Sequence, residues 1–97
     1  MDHKLRDEQT DALFRAILSL TDMRECYAFF EDLCTVSEIT EMAKRLTAAR
    51  MLNNNYIYTE IAEKTGLSTA TISRVNRCLK YGSEGYAAVL PRLEKRK

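Results

Sequence analysis

The sequence contains no tryptophan, one histidine, one proline and three glycines among its 97 residues. The histidine, His3, lies close to the N-terminus, and the spacing of Cys26, Cys34 and Cys78 matches no metal motif. Because a zinc ion needs a cluster of such ligands, we expect no metal site, and we expect no cofactor. We expect the cysteines to be reduced, partly buried thiols, and a redox-sensing role is the alternative.

Long hydrophobic runs are also missing. No apolar run approaches the ~18 residues of a membrane span, and the charged start, MDHKLRDEQTD, lacks the apolar core of a signal peptide. The length predicts one domain, residues 1–97, in a soluble protein of the cytoplasm. A chain this short buries a modest core, which a second copy would enlarge.

The scarcity of helix breakers indicates an all-α fold. Between Gly66, Gly82, Gly85 and Pro91, apolar residues recur at steps of three and four, the period of an amphipathic helix. Six helices are predicted, over residues 5–20, 23–33, 35–52, 59–65, 68–81 and 86–97, the last ending in a basic tail.

The ends of these helices have recognisable signals. Thr35 and Glu38 have the spacing of a capping box, and the run Asn53–Asn55 is expected to end the third helix. Ser68 is placed to cap the fifth helix. Gly82 is expected to end the fifth helix in the left-handed conformation, and Pro91 either to kink the last helix or to end it. The second helix carries two of the three phenylalanines and is expected to bury a large face.

Charge is distributed unevenly. Residues 1–39 hold four Lys or Arg against nine Asp or Glu, whereas residues 40–97 hold eleven against five. This asymmetry indicates a C-terminal half that faces a polyanion, with chance as the alternative. We therefore assign residues 1–55 to dimerisation and look for nucleic-acid contacts beyond them.

The stretch EIAEKTGLSTATISRVNRCL, residues 60–79, has the pattern of a helix-turn-helix. Gly66 suits a tight turn that needs positive φ, and Ala62 lets the two helices approach closely. Ile72, Val75 and Leu79 form the inner face of the second helix. Thr65 is the one departure, because an apolar residue is commoner there. An ordinary helical hairpin is the alternative.

In a helix-turn-helix over residues 58–81, the second helix enters the major groove by its N-terminal part. Short side chains there can meet base edges, whereas Arg77 can hold either a guanine or a phosphate, the commoner use. The residues predicted to contact DNA are Thr59, Lys64, Ser68, Thr69, Ala70, Ser73, Arg74, Arg77 and Lys80. Because one module reads few base pairs, a homodimer on two half-sites is expected.

The segments TVSEITEMAKRLTAARML and YTEIAEKTGLSTATISRVNRCLK resemble the tryptophan repressor family, with ATISR (70–74) the most specific part. The sequence looks most similar to the YerC/YecD branch of that family. The resemblance is close from Cys34 to Lys80 and elsewhere lies in helix order alone. It implies six helices in an intertwined homodimer that binds double-stranded DNA.

The resemblance also implies a pocket for an amino-acid effector. By position it would include Thr35, Arg45, Thr71, Arg74 and Cys78, and two arginines suit a carboxylate. Where the family's repressor has a glycine, this sequence has Val75, whose side chain would take the space of an indole ring. Tryptophan is therefore not the expected effector. The pocket either holds a smaller amino-acid-like ligand or is filled by Val75. The alternative is that Arg45 and Arg74 bind no effector and are only ion-paired or facing phosphates.

Arrangements typical of catalysis are missing. The sequence shows no Ser–His or Cys–His arrangement and no glycine-rich phosphate loop, so we do not expect an enzyme. The prediction is a DNA-binding transcriptional regulator, in particular a repressor. A protein-interaction or RNA-binding use of the same module is the alternative, which the net charge of +1 keeps open.

Overall fold

A computed structural model describes residues 6–95 and contains six α-helices and no strand in that range. The helices are α1 (Glu8–Leu18), α2 (Met23–Leu33), α3 (Val36–Asn53), α4 (Tyr58–Thr65), α5 (Thr69–Tyr81) and α6 (Gly85–Lys95). The all-α prediction and the order of the six helices are confirmed. His3, Leu5 and the end of the basic tail lie outside the described residues. None of the described helices is long and apolar enough to cross a membrane.

Acidic and hydroxyl side chains begin the first three helices. Asp7 and Asp22 accept hydrogen bonds from the backbone N–H groups three residues later, at 2.7 and 2.8 Å. The bonds from Thr10 lower the pKa of Asp7. At α3, the Glu38 N–H donates to the Thr35 hydroxyl at 3.1 Å, and the Thr35 N–H donates to Glu38 at 2.8 Å, which confirms the capping box.

The chain divides into two compact units, residues 1–39 and residues 40–97, so the boundary falls inside α3. The first unit contains α1, α2 and the first turn of α3. Neither α1 nor α2 has a buried residue. Leu18 is 83% exposed and Met23 is 70% exposed. The expectation that α2 buries a large face is therefore wrong for the single chain.

The second unit has an apolar core built on α3–α6. Ala48 and Ala49 of α3 are fully buried, and their small side chains let neighbouring helices approach. The other core residues come from α4, the turn after it, α5 and α6: Ile61, Leu67, Ile72, Val75 and Leu90. This core holds the α4–α5 pair in place.

Residues in unusual conformations join the later helices. Asn55 has a φ of 68°, so the asparagine run ends α3 as predicted. Gly82 has a φ of −83°, and the left-handed residue of that turn is Glu84 (φ 68°), so the prediction for Gly82 is wrong. A glycine is still required at 82 because a Cβ atom would collide with the Cys78 carbonyl. Pro91 lies inside α6 and does not end it.

Candidate nucleic-acid interface

The turn between α4 and α5 consists of residues 66–68. Gly66 adopts the left-handed conformation with a φ of 76°, and its N–H donates to the Ala62 carbonyl at 2.8 Å. Glycine adopts this conformation without the steric cost that a Cβ atom brings. The predicted role of Gly66 as the pivot between two packed helices is confirmed.

Thr65 has a specific place in this turn although sequence patterns favour an apolar residue. The side chain is buried, and its hydroxyl donates to the Ile61 carbonyl at 2.7 Å. The same hydroxyl accepts a hydrogen bond from the Leu67 N–H at 3.1 Å. A buried polar group is tolerated when its hydrogen bonds are made, and here they link α4 to the turn.

Helix α5 is fixed at its start and along one side. The Ser68 hydroxyl accepts a hydrogen bond from the Thr71 N–H at 3.1 Å, so Ser68 is the N-cap, as predicted. Ile72 and Val75 are buried in the core, and α5 packs against both α4 and α6. With one side anchored, the opposite side of α5 is presented to solvent in a defined orientation.

That solvent-facing side carries the predicted contact residues. Thr69, Ala70 and Ser73 present short side chains in the first turns of α5. Arg74, Arg77 and Lys80 follow, and none of the three is paired with a carboxylate in the described part of the chain. All nine predicted residues are exposed: Thr59, Lys64, Ser68, Thr69, Ala70, Ser73, Arg74, Arg77 and Lys80. Their contact with DNA stays a prediction.

The residues predicted for an effector pocket differ in exposure. Arg45 and Thr71 are half-buried, whereas Arg74 and Cys78 are exposed. Val75 is only 3% exposed and belongs to the core. Thr35 lies in the first unit and the other pocket residues in the second. An effector at this position stays a prediction.

Two residues near these positions were missed by the sequence analysis. Burial raises the pKa of Tyr86 on α6, the Cys78 side chain adds to that increase, and Arg45 opposes it, so all three lie within electrostatic range. Lys44 of α3 places its Nζ atom 3.9 Å from where a Cβ atom of Gly66 would be. Periodicity could identify Tyr86 as inward-facing, since Leu90 follows four residues later, but no spacing rule connects Lys44 to the turn.

Known proteins are similar to this chain over most of its length. The model of the family described as Trp repressor protein matches residues 8–94. The uncharacterised protein YerC of Bacillus subtilis (strain 168) is 54% identical over 91 residues, which cover 94% of this chain and 88% of YerC. Two solved structures are similar as well.

A TrpR-like protein from Eubacterium eligens ATCC 27750 superposes with a TM-score of 0.90 at 54% identity, over 94% of both chains. A Trp-repressor candidate from Staphylococcus aureus superposes with a TM-score of 0.89 at 48% identity, over 94% of this chain and 91% of that one. The matched range includes α1 to α5, and therefore the α4–α5 pair, together with all of α6 except its last residue. The chain belongs to the Trp repressor family.

Proposed function

We propose that the protein is a DNA-binding transcriptional regulator that binds operator DNA as a homodimer through α4 and α5. The proposal rests on the exposed side of α5, whose arginine and lysine side chains have no carboxylate partner in the described part of the chain. Ile72 and Val75 anchor the opposite side of this helix in the core. Membership of a repressor family supports the same function and favours repression as its outcome. We place this regulator in the cytoplasm, with no catalytic role and no cofactor besides the effector proposed below.

Recognition would begin with α5 in the major groove. Thr69, Ala70 and Ser73 are short enough for the helix to lie deep, where they touch thymine methyl groups or, through the two hydroxyls, make single hydrogen bonds. Arg77 either pairs with guanine or holds a phosphate, and Lys80 and Lys64 neutralise phosphates on either side. The short side chains therefore read the sequence, and the cations supply most of the affinity.

The homodimer is supported by the uncovered apolar side chains of the first unit. Phe14 and Leu18 are one helical turn apart on α1, as are Met23 and Tyr27 on α2, and all four are exposed in the single chain. Large apolar patches of this kind mark interaction surfaces. A second copy would cover them and place two recognition helices about 34 Å apart on half-sites one DNA turn apart.

The amino-acid-like effector is part of the proposal. Arg45 and Arg74 have the chemistry to hold its carboxylate, and the buried Val75 argues against a ligand as large as tryptophan. A ligand there would contact α3 and α5 together and so change the position of the recognition helix.

The test is DNA binding by the purified full chain. Genomic fragments are captured with the protein, the enriched duplex is labelled, and affinity is measured by fluorescence anisotropy over a range of salt concentrations. We expect steep salt dependence, with a slope in log K of about −0.9 for each phosphate neutralised. Arg77→Ala should weaken binding, and Ser73→Arg should change which duplex is bound. Arg92→Ala, which removes an exposed cation of α6, is the matched control.

The proposal fails if no genomic duplex binds at low salt. It also fails if Arg77→Ala and Arg92→Ala weaken binding equally, because the α5 surface would then have no special role. Capture of single-stranded RNA or of a protein in place of duplex DNA would support the alternative use of the helix-turn-helix.

A further inference from the structure

An open cleft lies in the second unit, and its lining does not include Arg45 or Arg74. Its volume is about 390 Å³, and its walls come from α3, the α3–α4 turn, the end of α4 and α6. A volume of this size is large enough for a small organic molecule. The lining includes Thr47, Arg50, Met51, Tyr56, Lys64 and Glu94.

Arg50 and Lys64 line this cleft, and both have hydrogen-bond donors that are not used within the described part of the chain. Arg50 Nε lies 3.4 Å from Glu94 Oε2, a long contact between side chains that are 41% and 34% exposed. That contact uses one of five guanidinium N–H donors, and the Nη atoms make no hydrogen bond in the described part of the chain. Lys64 likewise has no carboxylate partner among the described residues. The planar guanidinium of Arg50 and the ammonium group of Lys64 together suit a carboxylate or a phosphate.

The same cleft has an apolar side. Met51 is half-buried and packs against the core. The Tyr56 N–H donates to the Met51 carbonyl at 3.0 Å, which fixes the turn that carries the Tyr56 ring. A flexible thioether beside an exposed aromatic ring suits a flat apolar group. The cleft therefore combines an oxyanion-binding end with an apolar surface.

We propose that this cleft binds a small organic anion whose carboxylate or phosphate pairs with Arg50 and Lys64 and whose apolar body lies against Met51 and Tyr56. Arg50 belongs to α3, whereas Lys64 lies two residues before the Gly66 turn. A bound anion would therefore tie α4 to α3. This effect rests on the proposed DNA-binding function: an anion that ties α4 to α3 would change the affinity for operator DNA. Operator DNA would change the affinity for the anion by the same factor.

The experiment uses the full-length protein, labelled with ¹⁵N and titrated with phenyl phosphate, phenylacetate and neutral phenylacetamide. We expect saturable shifts of the Arg50, Tyr56 and Lys64 amides with the two anions, and none with the amide. The stronger of the two anions identifies the preferred oxyanion. Arg50→Gln and Lys64→Gln should each weaken binding about tenfold or more, whereas Arg92→Gln should leave it unchanged. Far-ultraviolet circular dichroism of each variant checks that it is folded.

Three results with the wild-type protein would overturn the proposal: no saturable shift at millimolar anion, equal binding of the neutral amide, or shifts centred on Arg45, Arg74 and Tyr86. Folded Arg50→Gln and Lys64→Gln variants that bind the anions as well as the wild type would also overturn it. Because this titration contains no DNA, its failure leaves operator binding intact. A protein that binds anions here and no duplex would instead contradict the proposed function alone.

Discussion

The Thr65 hydroxyl donates a hydrogen bond of 2.7 Å to the carbonyl oxygen of Ile61, one helical turn earlier in α4. The hydroxyl also accepts from the Leu67 N–H, so one side chain satisfies a helix carbonyl and a donor of the turn. Both bonds are buried, which makes them costly to lose.

Thr65→Val keeps the shape of the side chain and removes its hydroxyl. The Leu67 N–H then stays buried without a partner, so we expect a loss of about 1–3 kcal/mol in the free energy of unfolding. Urea denaturation followed by circular dichroism measures it. Thr65→Ser keeps the hydroxyl and should cost less than the valine variant. A valine variant as stable as the wild type would show that the hydroxyl is dispensable.

Gly66→Ala tests the conformation of the turn. With φ at 76°, an alanine would be strained by about 1–2 kcal/mol, although its Cβ atom would meet Lys44 only at ordinary contact distance. The matched control is Gly85→Ala, where a Cβ atom meets nothing within 4 Å. Urea midpoints of the two variants give the comparison. Equal midpoints would contradict a backbone cost specific to residue 66.

Leu18→Asp tests the proposed homodimer. If a second copy covers Leu18, the change removes about 1.5–3 kcal/mol of apolar burial and adds a desolvated charge, so dimer affinity should fall at least tenfold. Sedimentation equilibrium at micromolar concentration measures the change. Gln9→Asp, which adds the same charge at an exposed position of α1, should leave the dimer intact. A wild-type monomer at that concentration would refute the homodimer itself.

The phenol of Tyr86 should make the folded protein less stable at alkaline pH. Burial raises the pKa of its phenol above the usual value of about 10, so the unfolded chain ionises before the folded one. The contribution of the neutral phenol to the free energy of unfolding is fully present below about pH 10, and it is lost as the pH rises through the folded-state pKa. Urea midpoints should therefore fall at alkaline pH, and less so in Tyr86→Phe. Tyr81→Phe, at an exposed position of α5, should retain the wild-type fall; equal profiles for both variants would contradict the prediction.

Local signals were sufficient for the helices and the turn that they join. The spacing of Ala62, Gly66, Ile72 and Val75 predicted the helix-turn-helix because each residue type meets a local steric demand that holds in any fold. The capping residues Thr35 and Ser68 act over three residues and were predicted for the same reason. Gly82 shows where such inference fails: a close carbonyl, and not a positive φ, requires the glycine.

Contacts between distant segments were beyond prediction. The Arg50–Glu94 pair joins residues 44 positions apart, and Lys44 reaches a turn more than twenty residues later. Sequence periodicity assigns a side chain to a helix face but does not identify the partner of that face. The expectation that α2 buries a large face was wrong for the single chain. Apolar periodicity shows which face of a helix is apolar but does not say what covers it.

The sequence by itself determined the all-α class, the order of six helices, the helix-turn-helix and the family, because periodicity, caps and turn chemistry act over a few residues. Only the tertiary structure decided that Lys44 reaches the Gly66 turn and that Arg50 and Lys64 share a cleft. Each of these depends on how α3, α4, α5 and α6 pack. Packing brings together residues whose separation along the chain carries no signal.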